Sequence, residues 1–196
     1  MKKNYLGTLF LVVGNSGSGK DSLIYGVSNI YPSNMKHLYV VRRYVTRPPS
    51  DTELNYSVTV DEFKNLESQN KFALKWHIYG LDYGVPIEID NWLRKGHPVI
   101  VNVSRTIVKA AKDKYNNIKI IFVEVPFEIT LQRIQERGRE KGDLLDDRIE
   151  RARKFQKYSE ADFVVDNSGQ LEDAINQLLN YLIKVIKESG NIRKIE

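Results

Sequence analysis

The sequence predicts an α/β domain built on a mostly parallel sheet with helices on its faces, and three observations carry that prediction. A short apolar run at residues 9–13 passes through a glycine-rich loop into a helix-like segment at residues 20–30, a strand–loop–helix unit. Further β-branched runs at residues 99–103 and 118–125 are separated by a helix-like stretch, the alternation expected of a parallel sheet with crossover helices. The third observation is scale. With 196 residues, 41% of them hydrophobic, the chain can bury one real core and is too short for two ordinary ones. Residues 1–196 are therefore expected to form one domain with mobile subregions.

Each element follows in order. Residues 9–13 are apolar throughout and end at Gly14, as a fully buried strand should. Residues 38–45 read as a second extended run, stopped at Thr46-Arg47-Pro48-Pro49, where the paired prolines force a loop. Residues 58–60 lead into Asp61, a cap for a helix that carries Phe63 and Leu66 on one face and ends near Asn70. Residues 71–78 read as a strand. Tyr79-Gly80-Leu81-Asp82-Tyr83-Gly84 is expected to be a loop, and Pro86 the first turn of a helix that runs to Lys95 and closes at Gly96. Beyond the runs at 99–103 and 118–125, Phe127, Leu131 and Ile134 recur at helical spacing. Helices are predicted at 144–158 and 171–187, a strand at 163–165 between them, and a frayed tail at 188–196.

Composition excludes several classes of function. The 30 Lys and Arg against 25 Asp and Glu leave a formal charge of +5, an excess suited to phosphorylated small molecules and only weakly to nucleic acid. With no cysteine, there is no disulfide, no thiolate nucleophile and no cysteine zinc site. That fits a reducing compartment, and a cytoplasmic location is expected. Met1-Lys2-Lys3 followed by an apolar run superficially resembles a signal peptide, but the run is short and leads into a glycine loop rather than a cleavage site. No stretch approaches the roughly 20 apolar residues of a membrane span.

The strongest motif is Gly14-Asn15-Ser16-Gly17-Ser18-Gly19-Lys20, which satisfies G-x-x-x-x-G-K and lies between a predicted strand and a predicted helix. Glycines let the backbone curl so that several N–H groups converge on one phosphate, and the helix N-terminus adds partial positive charge. Lys20 would reach the β- and γ-phosphates of a nucleotide. After that lysine a hydroxyl is expected to face Mg²⁺, yet Asp21 stands there and Ser22 follows. Two readings remain open. Asp21 binds Mg²⁺ directly or through water, which also accounts for the amide Asn102 at the end of a central strand, or it is an acidic residue at a helix N-terminus.

Over nearly its full length the chain resembles the guanylate kinase branch of P-loop kinases, on Thr46-Arg47-Pro48, Val60-Asp61-Glu62-Phe63, Tyr83-Gly84 and Arg137-Gly138. That resemblance implies a core sheet, an acceptor-binding subdomain around residues 40–95 and an arginine-bearing lid around 133–148. The residues that would read guanine differ: Leu74 and Ser104 replace acidic positions, and Ser50 and Asn55 stand where an arginine and a tyrosine would grip the acceptor phosphate. The chain is more closely similar to the ribose 1,5-bisphosphate phosphokinases. The segments that carry this are Gly17-Ser18-Gly19-Lys20-Asp21-Ser22, Arg43-Tyr44-Val45-Thr46-Arg47, Trp76-His77, Gly80 to Val85, Glu88-Ile89-Asp90 with Trp92-Leu93, and Val101-Asn102-Val103-Ser104-Arg105. What this implies is transfer of the ATP γ-phosphoryl group, with Mg²⁺, to a phosphorylated sugar. An acceptor phosphate is already ionised at neutral pH, so alignment and charge neutralisation suffice without a general base.

Roles follow from resemblance and residue chemistry together. Gly14, Asn15, Ser16, Gly17, Ser18, Gly19, Lys20, Asp21 and Ser22 are the candidate nucleotide-binding residues, and Asp21 is the candidate metal ligand. Arg47, in a rigid loop before two prolines, can grip a phosphate bidentately. Arg43, His77, Tyr83, Asn102 and Arg105 complete the candidate acceptor set. His77 reads equally as a core histidine, and Tyr83 on its own as packing. Arg133 and Arg137 lie four apart on one helix flank, and Arg137-Gly138-Arg139-Glu140-Lys141-Gly142 reads as a charged closing loop. Lys20, Arg137 and Arg148 are the candidate catalytic residues, and Asp166-Asn167-Ser168-Gly169 is expected near the adenine by analogy of fold. A nucleoside monophosphate kinase and a non-catalytic binding module remain the alternatives; the latter has no need of Lys20 or Arg137.

Overall fold

The computed structural model of the chain describes residues 1–49, 55–138 and 142–192. Ser50, residues 139–141 of the expected lid and the last four residues of the expected frayed tail lie outside the described residues. The chain divides into two compact units, one of residues 1–11 and 33–119, the other of residues 12–32 and 120–196.

Strand β1 (Leu9–Gly14) is shared, its first residues in the first unit and its last in the second. It is the third member of a five-stranded sheet in the order β2-β7-β1-β8-β9. Residues 9–13 of β1 are fully buried, so both faces of the strand are covered. In the first unit β2 (Tyr39–Val40) pairs in parallel with β7 (Val99–Asn102), Tyr39 opposite Val99. In the second, β8 (Ile118–Glu124) pairs in parallel with β9 (Phe163–Asp166), Ile121 opposite Phe163. These pairings confirm the parallel sheet that the alternating runs predicted.

The first unit also holds a four-stranded sheet, in the order β4-β3-β6-β5, from β3 (Tyr44–Val45), β4 (Tyr56–Ser57), β5 (Phe72–Ile78) and β6 (Leu81–Pro86). Here the sequence reading needs correction. The run at 38–45 is two strands, not one: β2 belongs to the five-stranded sheet and β3 to the four-stranded sheet. Residues 81–84 are strand, not loop. Only Tyr79 and Gly80 turn the chain, with φ of 55° and 71°. Positive φ at both central positions is the primed turn whose twist matches two antiparallel strands, and β5 and β6 form that hairpin with Trp76 opposite Tyr83 and His77 opposite Asp82. Pro86 ends β6 rather than opening a helix, and the helix α3 is shorter (Ile89–Arg94).

Helix α2 (Val60–Ser68) is capped by Thr59, not Asp61. Thr59 Oγ1 accepts from the Glu62 N–H at 3.2 Å while Glu62 Oε2 accepts from the Thr59 N–H at 2.7 Å, a reciprocal box that satisfies two end donors. The box also holds the Glu62 carboxyl below its ordinary pKa, through the Thr59 backbone and then its side chain. A short 3-10 turn (Arg105–Ile107) and helix α4 (Val108–Lys114) link β7 to β8.

In the second unit, α1 (Lys20–Ile30) buries Leu23, Ile24 and Val27, each contributing about 1.5–3 kcal/mol on full burial. Helix α5 (Phe127–Arg137) buries Thr130 and Ile134 and ends at Gly138, φ 59°. Helix α6 (Asp143–Lys154) buries Arg148 and Ala152, four residues apart and so on one face. Helix α7 runs over Leu171–Ile192, so residues 188–192 are helical rather than frayed. It packs on α1, where Gly26 leaves room for Ile175: a Cβ there would lie 2.2 Å from Ile175 Cδ1.

Candidate functional site

In the second unit the loop between β1 and α1 has the conformation its glycines permit. Gly17 and Gly19 have φ of 79° and 81°, a region costly to residues with a Cβ. A Cβ on Gly17 would meet the Thr130 carbonyl oxygen at 3.1 Å, and one on Gly19 would meet Asn167 Nδ2 at 2.6 Å. Gly19 is also the N-cap of α1 and supplies no side-chain cap, and the N–H groups and partial positive charge of a helix N-terminus suit an anion. This is a cradle that fits a nucleotide's phosphates. Lys20 Nζ lies over the loop, donating to the carbonyls of Gly14 and Asn15 at 3.0 and 2.6 Å and to Ser18 Oγ at 3.2 Å. Asp21 is in the first turn of α1, half-buried, with Ser22 exposed beside it; both are oxygen donors of the type Mg²⁺ takes. No cluster of three His, Cys, Asp or Glu side chains able to hold a metal occurs among the described residues.

Three later side chains, and one of the loop's own, brace this loop. Arg148, 6% exposed, donates from one terminal nitrogen to Ser16 Oγ at 2.8 Å. Arg133 reaches the Gly17 carbonyl at 3.5 Å, a long contact. Asn15 Nδ2 donates to the carbonyls of Ala152 and Phe155, each at 3.1 Å. Asn167, 2% exposed, donates from Nδ2 to the Ser18 carbonyl at 2.8 Å. Analogy of fold expects residues 166–169 near the adenine, and the Asn167 amide is bonded to the loop itself. Beside it the Ser168 side chain and N–H hold the Asp166 carboxyl below its ordinary pKa, the N–H donating to Oδ1 at 2.9 Å. Arg137 is the last residue of α5.

In the first unit the hairpin gathers most of the acceptor candidates. Trp76 and Tyr83 stack with ring centroids 5.2 Å apart and planes 3° from parallel, and the Arg43 guanidinium lies 5.9 Å from the Tyr83 ring. Tyr83 and Arg43 are 8% and 7% exposed, so both are packed as well as polar. Asn55 Oδ1 accepts from Arg43 Nε at 3.2 Å. His77 is not a core residue: its ring is exposed, and Nδ1 lies 2.7 Å from Asp82 Oδ1. The Asp82 N–H donates to Thr46 Oγ1 at 2.8 Å, which fixes the loop that carries the half-buried Arg47. Asn102 is buried at the end of β7, and Arg105 opens the 3-10 turn that follows. Strand ends of this kind are where α/β sheets place ligand-binding residues.

The two positions read as missing guanine contacts have structural occupations. Leu74 is core, 5% exposed and opposite Val85. Ser104 caps the 3-10 turn, its Oγ accepting from the Thr106 N–H at 3.3 Å and the Thr106 hydroxyl at 2.9 Å.

Sequence reasoning missed Asp82, the side-chain role of Asn15 and the bracing by Asn167. An asparagine directly after the last predicted strand was the available signal for Asn167, since an amide buried there must find backbone partners.

Comparison with known proteins agrees with this geometry. A family model described as guanylate kinase matches residues 7–185. The ribose 1,5-bisphosphate phosphokinase of Pseudomonas paraeruginosa is 36% identical over 178 residues, 90% of this chain and 95% of the relative. That of Rhodopseudomonas palustris is 38% identical over 146 residues, 74% of this chain and 75% of the relative. The crystal structure of guanylate kinase from Anaplasma phagocytophilum superposes with a TM-score of 0.69 at 17% identity, covering 92% of this chain and 87% of that one, a likeness of fold. By the match over residues 7–185 and by these relatives, the chain belongs to the guanylate kinase family and, within it, to the ribose 1,5-bisphosphate phosphokinases.

Proposed function

We propose that the chain transfers the γ-phosphoryl group of ATP to the 1-phosphate of ribose 1,5-bisphosphate, forming 5-phosphoribosyl 1-diphosphate and ADP. An oxygen of the acceptor phosphate forms the new P–O bond as the bond between the γ-phosphorus and the β-bridging oxygen breaks. ADP leaves with that electron pair, and no proton need be removed from the acceptor. The observation that carries the reading is that the two positions where a guanine reader would be expected, Leu74 and Ser104, have structural occupations instead. Arg43, Arg47 and Tyr83 are the phosphate-binding side chains, while Leu74 is buried core and Ser104 serves as a turn cap. A site that cannot pair guanine's polar edge loses discrimination for it. The named relatives support the same acceptor.

The loop backbone and Lys20 bind the ATP phosphates, Arg148 and Arg137 neutralise charge developing on the transferred group, and His77, Asn102 and Arg105 orient the acceptor. Mg²⁺, held through Asp21 and Ser22 directly or by water, would screen the repulsion between the two anions.

The test is ADP release with Mg²⁺ and ATP, measured on ribose 1,5-bisphosphate and on GMP in parallel, with Lys20→Ala as the blank and the product identified by ³¹P NMR. Turnover on the bisphosphate alone is expected. GMP as the better acceptor would overturn the reading of Leu74 and Ser104. ATP binding without turnover on either would favour a binding module.

A further inference from the structure

The first variable residues of the loop do more than line phosphates. Helix α6 ends with carbonyls that have no partner within the helix, as every helix does. The Phe155 N–H takes the Arg151 carbonyl and Gln156 Nε2 takes the Arg153 carbonyl at 3.1 Å. The carbonyls of Ala152 and Phe155 both accept from Asn15 Nδ2, and an amide nitrogen has two hydrogens to give. One turn back along the same helix, Arg148 donates to Ser16 Oγ at 2.8 Å. Two adjacent loop residues thus engage two successive turns on one face of α6, that of Arg148 and Ala152. A single contact would leave the helix able to swivel about it. Two contacts roughly one turn apart fix both its rotation and its height.

We propose that Asn15 is a positioning residue, whose side-chain amide clamps the C-terminal end of α6 to the phosphate loop and so fixes where Arg148 is presented. This rests on the reading above that Arg148 meets the transferring phosphoryl group. Asn15 acts only through Arg148, so its loss lowers the rate of transfer rather than the grip on ATP. The loop's backbone donors and Lys20 remain in place without it.

The experiment compares Asn15→Ala, Asn15→Asp, Arg148→Lys and the double variant Asn15→Ala/Arg148→Lys with the parent chain. Asn15→Asp loses both donors and adds a charge facing two carbonyls, so its kcat should fall at least as far as that of Asn15→Ala. Asn15→Ala should lose about tenfold in kcat while its KM for ATP stays within about threefold. The double variant should be no slower than Arg148→Lys alone, because the clamp has nothing left to position. Amide exchange of the peptide covering residues 150–156 should rise at least about tenfold in the Asn15 variants. Multiplying penalties in the double variant, or unchanged exchange at 150–156, overturns the proposal. If the parent chain turns over no ribose 1,5-bisphosphate, the acceptor reading fails by itself. The exchange result, together with ATP affinity measured by calorimetry, then decides the clamp.

Discussion

Replacing Asn167 by alanine isolates the contribution of one hydrogen bond to the phosphate loop. The side chain is 2% exposed and its amide donates to the carbonyl of Ser18, itself 1% exposed, at 2.8 Å. Alanine removes the donor and leaves a buried carbonyl unsatisfied, a loss of about 1–3 kcal/mol. At about 2 kcal/mol, a chain of this length should melt roughly 4–8 °C lower. The same bond holds the segment just before Gly19, whose positive φ shapes the cradle. If the full 2 kcal/mol falls on the loop's own equilibrium, the competent loop is about 30-fold less populated, and the apparent Kd for ATP rises by up to that factor. Thermal melting with and without ATP, followed by calorimetric titration, reads both. A lower melting temperature with unchanged ATP affinity would refute the assignment of Asn167 to the loop. An unchanged melting temperature would refute the value placed on the bond.

Three further outcomes follow from the same physics. Lys3→Ala strips an ion-pair partner from Asp90, which is 6% exposed and keeps its bond from the Tyr115 hydroxyl at 2.7 Å; stability should fall by about 1–3 kcal/mol in urea titration with the KM for ATP unchanged. Gly84→Ala would set a Cβ 2.5 Å from the Phe72 ring, costing about 1–3 kcal/mol and disturbing the hairpin that carries Tyr83, so the acceptor KM should rise while the KM for ATP holds. The Asp166 carboxyl is held below its ordinary 3.8 by Ser168, so its stabilisation is fully present above that value and is lost as pH falls through the lowered one. The melting difference between the parent chain and Asp166→Asn should therefore be larger at pH 7 than at about pH 2.5, and an equal difference at both would show that Ser168 does not act on the ionised form.

The strand–loop–helix start was legible because its signals are local. Glycines fix the backbone of the loop, and five apolar residues in a row fix the strand before it. Helix α5 was legible for the same reason, from Phe127, Leu131 and Ile134. The hairpin was not. Tyr79 is a non-glycine residue in the left-handed region, so the turn gave no Asn-Gly or Asp-Gly signature, and Gly80 and Gly84 made a strand read as a loop. The break between β2 and β3 was hidden because both halves are extended, and what separates them is the sheet each joins. At the site, residue types identified the phosphate-binding candidates. What the sequence could not supply was which side chain spends its bonds on protein: Asn167 on Ser18, Asn15 on the end of α6, Asn55 on Arg43.

The side chains that brace the loop are also distant along the chain. Ser16 waits for Arg148 across 132 positions, Asn15 for Ala152 across 137, and Ser18 for Asn167 across 149. On the ribosome, at roughly 5–20 residues per second, the loop is made some 7 to 30 seconds before its last brace. In that interval the nascent chain carries a phosphate-binding sequence without the scaffold that shapes it. Nucleotide competence is thus a late event in biosynthesis, and a chain that stalls or is cut before residue 167 should not sequester ATP.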